Sequence, residues 1–264
     1  MNRVTKQFRE LKRNGKCGLV AYVTCGDPDP ETTVGIVREL ERSGASCIEL
    51  GVPFSDPIAD GPVIQAASQR SLERGTTMAD VLGVARRVRS GSEIPLVLFS
   101  YLNPIHRYGY QRFAADAAGA GIDSVLVTDL PPESAGDLKR HLDGCGIGSV
   151  FLLAPTSTDR RMALVGKMSD GFVYYVSTNG VTGARRELDP GLVQRLREVR
   201  LALKKPLAVG FGVSTHEQYR TLAPLCDAVV VGSAIVRAID QGEVAGAAER
   251  AGRAVREILN GEAP

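Results

Sequence analysis

Two carboxylates stand close together in a pattern that suits proton transfer. Glu49 sits in the middle of the apolar run 47–52, Cys-Ile-Glu-Leu-Gly-Val, which reads as a buried strand. Asp60 follows on the loop 53–61, Pro-Phe-Ser-Asp-Pro-Ile-Ala-Asp-Gly. An ionised carboxylate is costly to bury unless it is paired or does chemistry. No basic residue falls at a neighbouring strand end to pair with Glu49. Side chains alternate along a strand, so Cys47, Glu49 and Gly51 share one face, expected to be the interior, and Ile48, Leu50 and Val52 share the other. Asp beside Pro or Gly also makes turns. That reading suits Asp56-Pro57 better than Asp60, because Pro62 opens a helix directly after Gly61.

A second group of residues could hold an anion. The stretch 177–183 ends Val-Thr-Gly, with Thr182 and Gly183; Gly210, Phe211 and Gly212 end a later run; Gly232 and Ser233 end the last one. Glycine lets an anion approach the backbone, and free N–H groups at helix starts bind phosphate. The P-loop pattern is missing, so a nucleoside triphosphate is not implied. Tyr22, Phe99, Tyr101, Leu126, Tyr174 and Phe211 fall at or near strand ends and suggest walls for a flat apolar group. The three histidines are far apart and show no metal-ligand spacing, so no metal is expected.

The elements that must position these groups are legible as eight apolar runs: 18–24, 47–52, 95–101, 124–129, 149–154, 172–177, 206–211 and 228–233. They are near-continuously apolar, as parallel strands covered on both faces are. Helical stretches lie between them, at 30–43, 132–142, 190–204 and 242–259, with an extra N-terminal helix at 4–13 and two helices within 62–91 after the second strand. Eight βα units with no linker between them predict one (β/α)8 TIM-barrel domain over residues 1–264. An open doubly wound sheet is the competitor, and the segment after the first strand, Thr-Cys-Gly-Asp-Pro, lacks its GxGxxG loop. In a barrel, reacting groups sit at the C-terminal strand ends and phosphate sits at the loops after the last strands.

Composition excludes other classes. The net charge is +2, aromatic content is 5% and Trp is absent, so neither nucleic acid nor an anionic membrane is indicated. No stretch is long and apolar enough to span a bilayer, and the polar start carries no signal-peptide core. The five cysteines form no CxxC pair and read as reduced thiols of a cytoplasmic protein.

The run Glu49-Leu50-Gly51-Val52-Pro53-Phe54-Ser55-Asp56-Pro57, with Ala59-Asp60-Gly61-Pro62 and Ile64-Gln65, resembles the signature of the tryptophan synthase alpha chain family. Tyr22-Val23-Thr24, Tyr101-Leu102-Asn103-Pro104, Asp129-Leu130-Pro131, Gly180-Val181-Thr182-Gly183, Gly210-Phe211-Gly212 and Gly232-Ser233-Ala234 extend the likeness along the chain. The resemblance implies a lyase that splits indole-3-glycerol phosphate into indole and glyceraldehyde 3-phosphate late in tryptophan biosynthesis. It implies Glu49 as general acid and base, Asp60 as the partner of the indole N–H, and Gly183, Gly212, Gly232 and Ser233 as the phosphate cradle. Tyr174 and Thr182 would lie near the glycerol, and the stretch 178–188 would form a lid. It further implies an α2β2 heterotetramer with a beta chain that alone carries pyridoxal phosphate, with Pro53, Asp56 and Pro57 as interface candidates. Two other readings stay open here: a stand-alone lyase, and a weakly catalytic subunit that mainly activates its partner. Tyr22 stands where many relatives have Phe, which bears on the pocket's shape.

Overall fold

Parallel strands buried on both faces need helices on one side and packed side chains on the other, and this chain supplies both. The computed structural model describes residues 1–176, 190–210 and 212–261. The strands are β1 (Gly18–Thr24), β2 (Cys47–Gly51), β3 (Leu96–Ser100), β4 (Ser124–Val127), β5 (Gly148–Val150), β6 (Leu152–Leu153), β7 (Val173–Val176), β8 (Leu207–Gly210) and β9 (Ala228–Val231). Every pairing is parallel, and the order is β5-β4-β3-β2-β1-β9-β8-β7-β6. The two ends of that order, β5 and β6, are consecutive in the chain, so the sheet returns on itself as a barrel.

The fifth apolar run is therefore not one continuous strand, as its composition suggests. It breaks at Phe151, whose N–H is taken by the Ser169 hydroxyl at 3.2 Å, and the Ser149 N–H goes to the Asp170 carboxylate at 3.1 Å. Side chains from the next connection satisfy these donors, which frees them from the ladder.

Two apolar clusters follow from the alternation. Val20, Cys47, Val97, Leu126, Val150, Tyr174, Ala208 and Val230 pack inside the barrel. Ile48, Leu50 and Val52 belong to the layer between strands and helices. Val4 and Phe8 of α1 (Arg3–Arg13) plug the N-terminal end of the interior, the Phe8 ring stacking on Phe172 with centroids 4.8 Å apart.

The outer helices are α2 (Pro30–Arg42), α3 (Pro62–Glu73), α4 (Met78–Arg89), α5 (Leu102–Tyr108), α6 (Tyr110–Ala120), α7 (Gly136–Gly144), α8 (Asp159–Met168), α9 (Pro190–Ala202), α10 (His216–Leu222), α11 (Ser233–Asp240) and α12 (Ala247–Asn260). Helix starts follow capping chemistry: Asp29 accepts the Thr32 N–H at 2.7 Å, and Thr77 with Asp80 forms a capping box. The helix expected over 132–142 begins later, at Gly136. The residues before it form turns, with Ser134 N–H donating to the Pro131 carbonyl at 3.0 Å. The closing helix likewise starts at Ala247, after a 3-10 turn at Val244–Gly246. Among the described residues no helix is long and apolar enough to cross a membrane.

One ion pair fixes the helix that follows the Asp60 loop. Asp27, buried after β1, accepts from Arg70 Nε at 3.0 Å and Nη2 at 2.7 Å, and Arg70 also reaches Asp240 at 3.4 Å. This bidentate contact ties α3 to the end of β1 and to α11. Asp27→Ala leaves the guanidinium facing an emptied, largely buried site. It is expected to cost about 2–4 kcal/mol in urea unfolding, and an unchanged midpoint would deny the clamp.

Candidate active site

Glu49 points into the barrel. In register it lies between Tyr22 of β1 and Val97 of β3. It has no solvent exposure, and neither carboxylate oxygen has a hydrogen-bond partner. Burial alone pushes its carboxyl up to about 8. A buried acid without a cation or donor keeps its proton at neutral pH because nothing replaces the water that would solvate the charge.

Asp60 is held differently. The Tyr101 hydroxyl donates to its Oδ2 at 3.0 Å, while the same phenolic oxygen accepts the Ala59 N–H at 2.9 Å. The Phe54 ring packs on Tyr101 with centroids 5.0 Å apart. Gln65 donates to the Asp60 carbonyl at 2.8 Å. Burial raises the Asp60 carboxyl to about 6, with the Tyr101 hydroxyl pulling it back down. Near neutrality Glu49 is thus an acid and Asp60 an anion, two carboxyls with separate charge states set by their surroundings.

Two phenols lie within electrostatic reach of both acids. Tyr22 and Tyr174 are both raised by burial, and each feels the negative charge of both Glu49 and Asp60. Phe99 meets the Tyr22 ring edge-on, with centroids 5.1 Å apart and planes at 77°. Leu126 is wholly buried beside Phe99 in register. Two glycines seat the tyrosines: a Cβ on Gly51 would lie 2.6 Å from Tyr22 Cζ, and one on Gly210 would lie 2.7 Å from the Tyr174 hydroxyl. Gly51→Ala is therefore expected to push Tyr22 off its seat and to cost about 1–3 kcal/mol of stability together with a roughly tenfold or greater loss of kcat/KM. An alanine variant with wild-type kinetics would show that the ring position does not matter.

The anion-binding candidates divide. Gly210 serves Tyr174, as described. Gly212 is exposed with φ of 68°, a left-handed conformation that favours glycine. Gly232 precedes α11, whose first residue is Ser233, and no side chain caps that helix start. Its leading N–H groups are unclaimed by a side-chain cap, and a Cβ on Gly232 would touch Tyr22 Cβ and Ile64 Cδ1, both at 3.5 Å. The helix start therefore adjoins Tyr22, the neighbour of Glu49 in register. Thr182, Gly183, Phe211 and the stretch 178–188 lie outside the described residues.

On the β2 loop, Pro53 is buried, Pro57 half-buried, and Asp56 exposed with its Oδ2 bonded to the Ser55 hydroxyl at 2.6 Å. Beside them Ile58 is 84% exposed. Sequence reasoning passed over Ile58, although an aliphatic residue in a loop of Pro and Asp was a visible signal. It also passed over Gly51, whose role depends on a ring from the neighbouring strand. Among the described residues no group of His, Cys, Asp and Glu could hold a metal ion.

The chain and its fold have known counterparts. A family model described as tryptophan synthase alpha chain matches residues 8–261. The alpha chain of Geobacter sp. (strain M21) is 50% identical over 261 residues, 99% of this chain and 98% of the relative; that of Solibacter usitatus is 52% identical over 249 residues, 94% and 93%. The crystal structure of tryptophan synthase subunit alpha from Legionella pneumophila superposes with a TM-score of 0.91 at 38% identity, covering 98% of this chain and 97% of that one. A chain of the α2β2 tryptophan synthase complex from Pyrococcus furiosus superposes with a TM-score of 0.87 at 40% identity, covering 92% and 97%.

Proposed function

Since the chain belongs to the tryptophan synthase alpha chain family and cleaves indole-3-glycerol phosphate in tryptophan biosynthesis, we propose that Glu49 and Asp60 carry that cleavage together. The observation that carries the assignment is the unpartnered, fully buried Glu49 carboxyl that acts, with an anchored Asp60, on the same two phenols, Tyr22 and Tyr174.

Breaking the carbon–carbon bond at indole C3 needs that carbon protonated, so that the bonding electrons can return to the ring. Glu49 in its protonated form delivers that proton. Asp60, as an anion, accepts the indole N–H and offsets the positive charge growing on the ring. The Glu49 carboxylate then takes the proton from the hydroxyl on the adjacent glycerol carbon. As that hydroxyl becomes an aldehyde, the carbon–carbon bond breaks and the electron pair restores the indole. Glu49 is again protonated, so no net proton is consumed. Tyr22, Phe99 and Tyr174 flank the ring and glycerol.

Gly212 and the α11 start at Gly232 and Ser233 hold the phosphate, with Gly183 as the further cradle residue. Binding there supplies energy away from the reacting bond and holds the indole in register. Gly212→Val places a branched side chain at a left-handed position under the phosphate. KM is expected to rise by about tenfold or more, with a smaller change in kcat. An unchanged KM would remove Gly212 from the cradle.

The chain works in complex with the beta chain. We place the contact at the β2 loop, where Asp56 and the exposed Ile58 face outward beside the groups that hold Asp60, an arrangement that favours an assembled subunit over a stand-alone lyase. Pyridoxal phosphate belongs to the beta chain on this reading. The chemistry of that cofactor needs a lysine amine, and among the described residues no strand carries a lysine. The nine strands share one sheet, which supports reading the chain as one domain, and its five free cysteines suit a cytoplasmic setting.

The test is the pH profile of indole release from indole-3-glycerol phosphate, with and without a beta chain. The competent form has Glu49 protonated and Asp60 ionised, so kcat/KM is expected to be bell-shaped with limbs near about 6 and about 8. A flat profile across that window would overturn the assignment.

A further inference from the structure

At the end of the barrel opposite the mouth, Cys17 and Cys226 bring their sulfurs to 3.9 Å. They stand just before β1 and β9, adjacent parallel strands whose pairing begins at Gly18 and Ala228. The Gly18 N–H donates to the Asp227 carbonyl at 2.9 Å, which holds the two strand entries side by side. Cys226 is buried and its thiol reaches the Leu222 carbonyl at 3.3 Å. Cys17 is only half-buried, and its carbonyl accepts the Tyr219 hydroxyl at 2.7 Å. This is the one sulfur–sulfur contact among the described residues; Cys25 and Cys47 are buried apart, and Cys145 is exposed.

We propose that Cys17 and Cys226 are a dithiol that closes to an intramolecular disulfide when a small-molecule disulfide such as oxidised glutathione supplies the oxidising equivalents. The two sulfurs have different parts. Cys17 is the accessible one, and the Cys226 thiol beside it holds its thiol below the ordinary range, with Arg200 helping and burial opposing. Cys226 is pushed up, first by its contact with Cys17 and then by burial. The Cys17 thiolate attacks the oxidant, breaking its S–S bond and forming a mixed disulfide; one thiol leaves and takes a proton. Cys226 then loses its proton to solvent and attacks the Cys17 sulfur, and the second thiol leaves. Two protein thiols are oxidised and one small disulfide is reduced to two thiols.

Closure needs the sulfurs to approach to about 2.0 Å. The movement falls on Cys17, which sits on the short connection from α1 to β1 beside Gly15, whose φ is 61°. The bond would join residues 209 apart in sequence across neighbouring strands. It would therefore staple nearly the whole barrel into one loop and restrict the unfolded chain.

The experiment uses the full chain in a Cys145→Ser background, incubated with oxidised glutathione and then with dithiothreitol. The intact mass is expected to fall by two hydrogens, peptide mapping to find Cys17 linked to Cys226, and Tm to rise by about 5–10 °C. Dithiothreitol reverses all three, and indole release at the far end of the barrel is unchanged. Adding Cys226→Ser is expected to stop the reaction at one glutathione on Cys17. Wild-type Cys226 that still leaves glutathione on Cys17, or both thiols untouched, overturns the dithiol; a cross-link that leaves Tm unmoved overturns the staple.

Discussion

Glu49→Gln is expected to leave the barrel folded and to lower kcat for indole release by at least about 10²–10⁴, the usual worth of a positioned proton donor. The amide nearly matches the carboxylic acid in shape, so Tyr22 and Val97 keep their neighbour. It cannot deliver a proton to indole C3 or take one from the glycerol hydroxyl. Both roles disappear together, and among the described residues no second acid stands inside the barrel to replace them: Asp60 is already bonded to Tyr101 at 3.0 Å. Inhibition by the product glyceraldehyde 3-phosphate is expected to persist, because the proposed phosphate site at the α11 start is untouched by the substitution. Retained turnover in this variant would refute the proton-transfer role.

The same variant has a signature in stability. The Glu49 carboxyl is raised from 4.5 to about 8 on folding. Between those values the folded chain holds a proton that the unfolded chain has lost. Stability attributable to this group is therefore full below about 4.5, falls as pH rises, and levels off above about 8. Glu49→Gln removes that slope. The variant is expected to gain on the wild type as pH rises from 5 to 8, by up to a few kcal/mol at the upper end. Urea unfolding at both pH values reads it directly, and parallel curves would mean the carboxyl is solvated.

Asp60→Asn carries the second large effect. The amide oxygen can still accept from the Tyr101 hydroxyl, so the loop and its Phe54 contact are retained. What is lost is the charge proposed to face the indole nitrogen. Removing one such preorganised electrostatic partner typically costs about 10²–10³ in kcat. Since the asparagine cannot titrate, the acidic limb near about 6 is expected to vanish from the profile while the limb near about 8 stays. Tyr101→Phe separates charge from position: Asp60 keeps its titratable carboxyl but loses its anchor, and the acidic limb is expected to move upward, since that hydroxyl holds the carboxyl down. An Asn variant with an intact acidic limb would assign that titration to another group.

The barrel and its acid pair were visible in the chain because both rest on local patterns. Runs of β-branched and aliphatic residues at βα spacing define strands covered on two faces. Period-two alternation in 47–52 places Glu49 with Cys47 and Gly51 on the inner face. The charge mismatch of Glu49 among apolar neighbours singles it out before any coordinates do. Tertiary structure decided what depends on contacts between distant segments. It placed the break at Phe151, where Ser169 and Asp170 take the strand's donors. It set Asp60 against Tyr101 across separate loops, and it gave Gly210 to the Tyr174 ring. It brought Cys17 to Cys226 from the two ends of the chain. Periodicity reports which face a side chain takes, since that is fixed by its own backbone. Its partner is fixed by how the sheet closes, which no window of sequence contains.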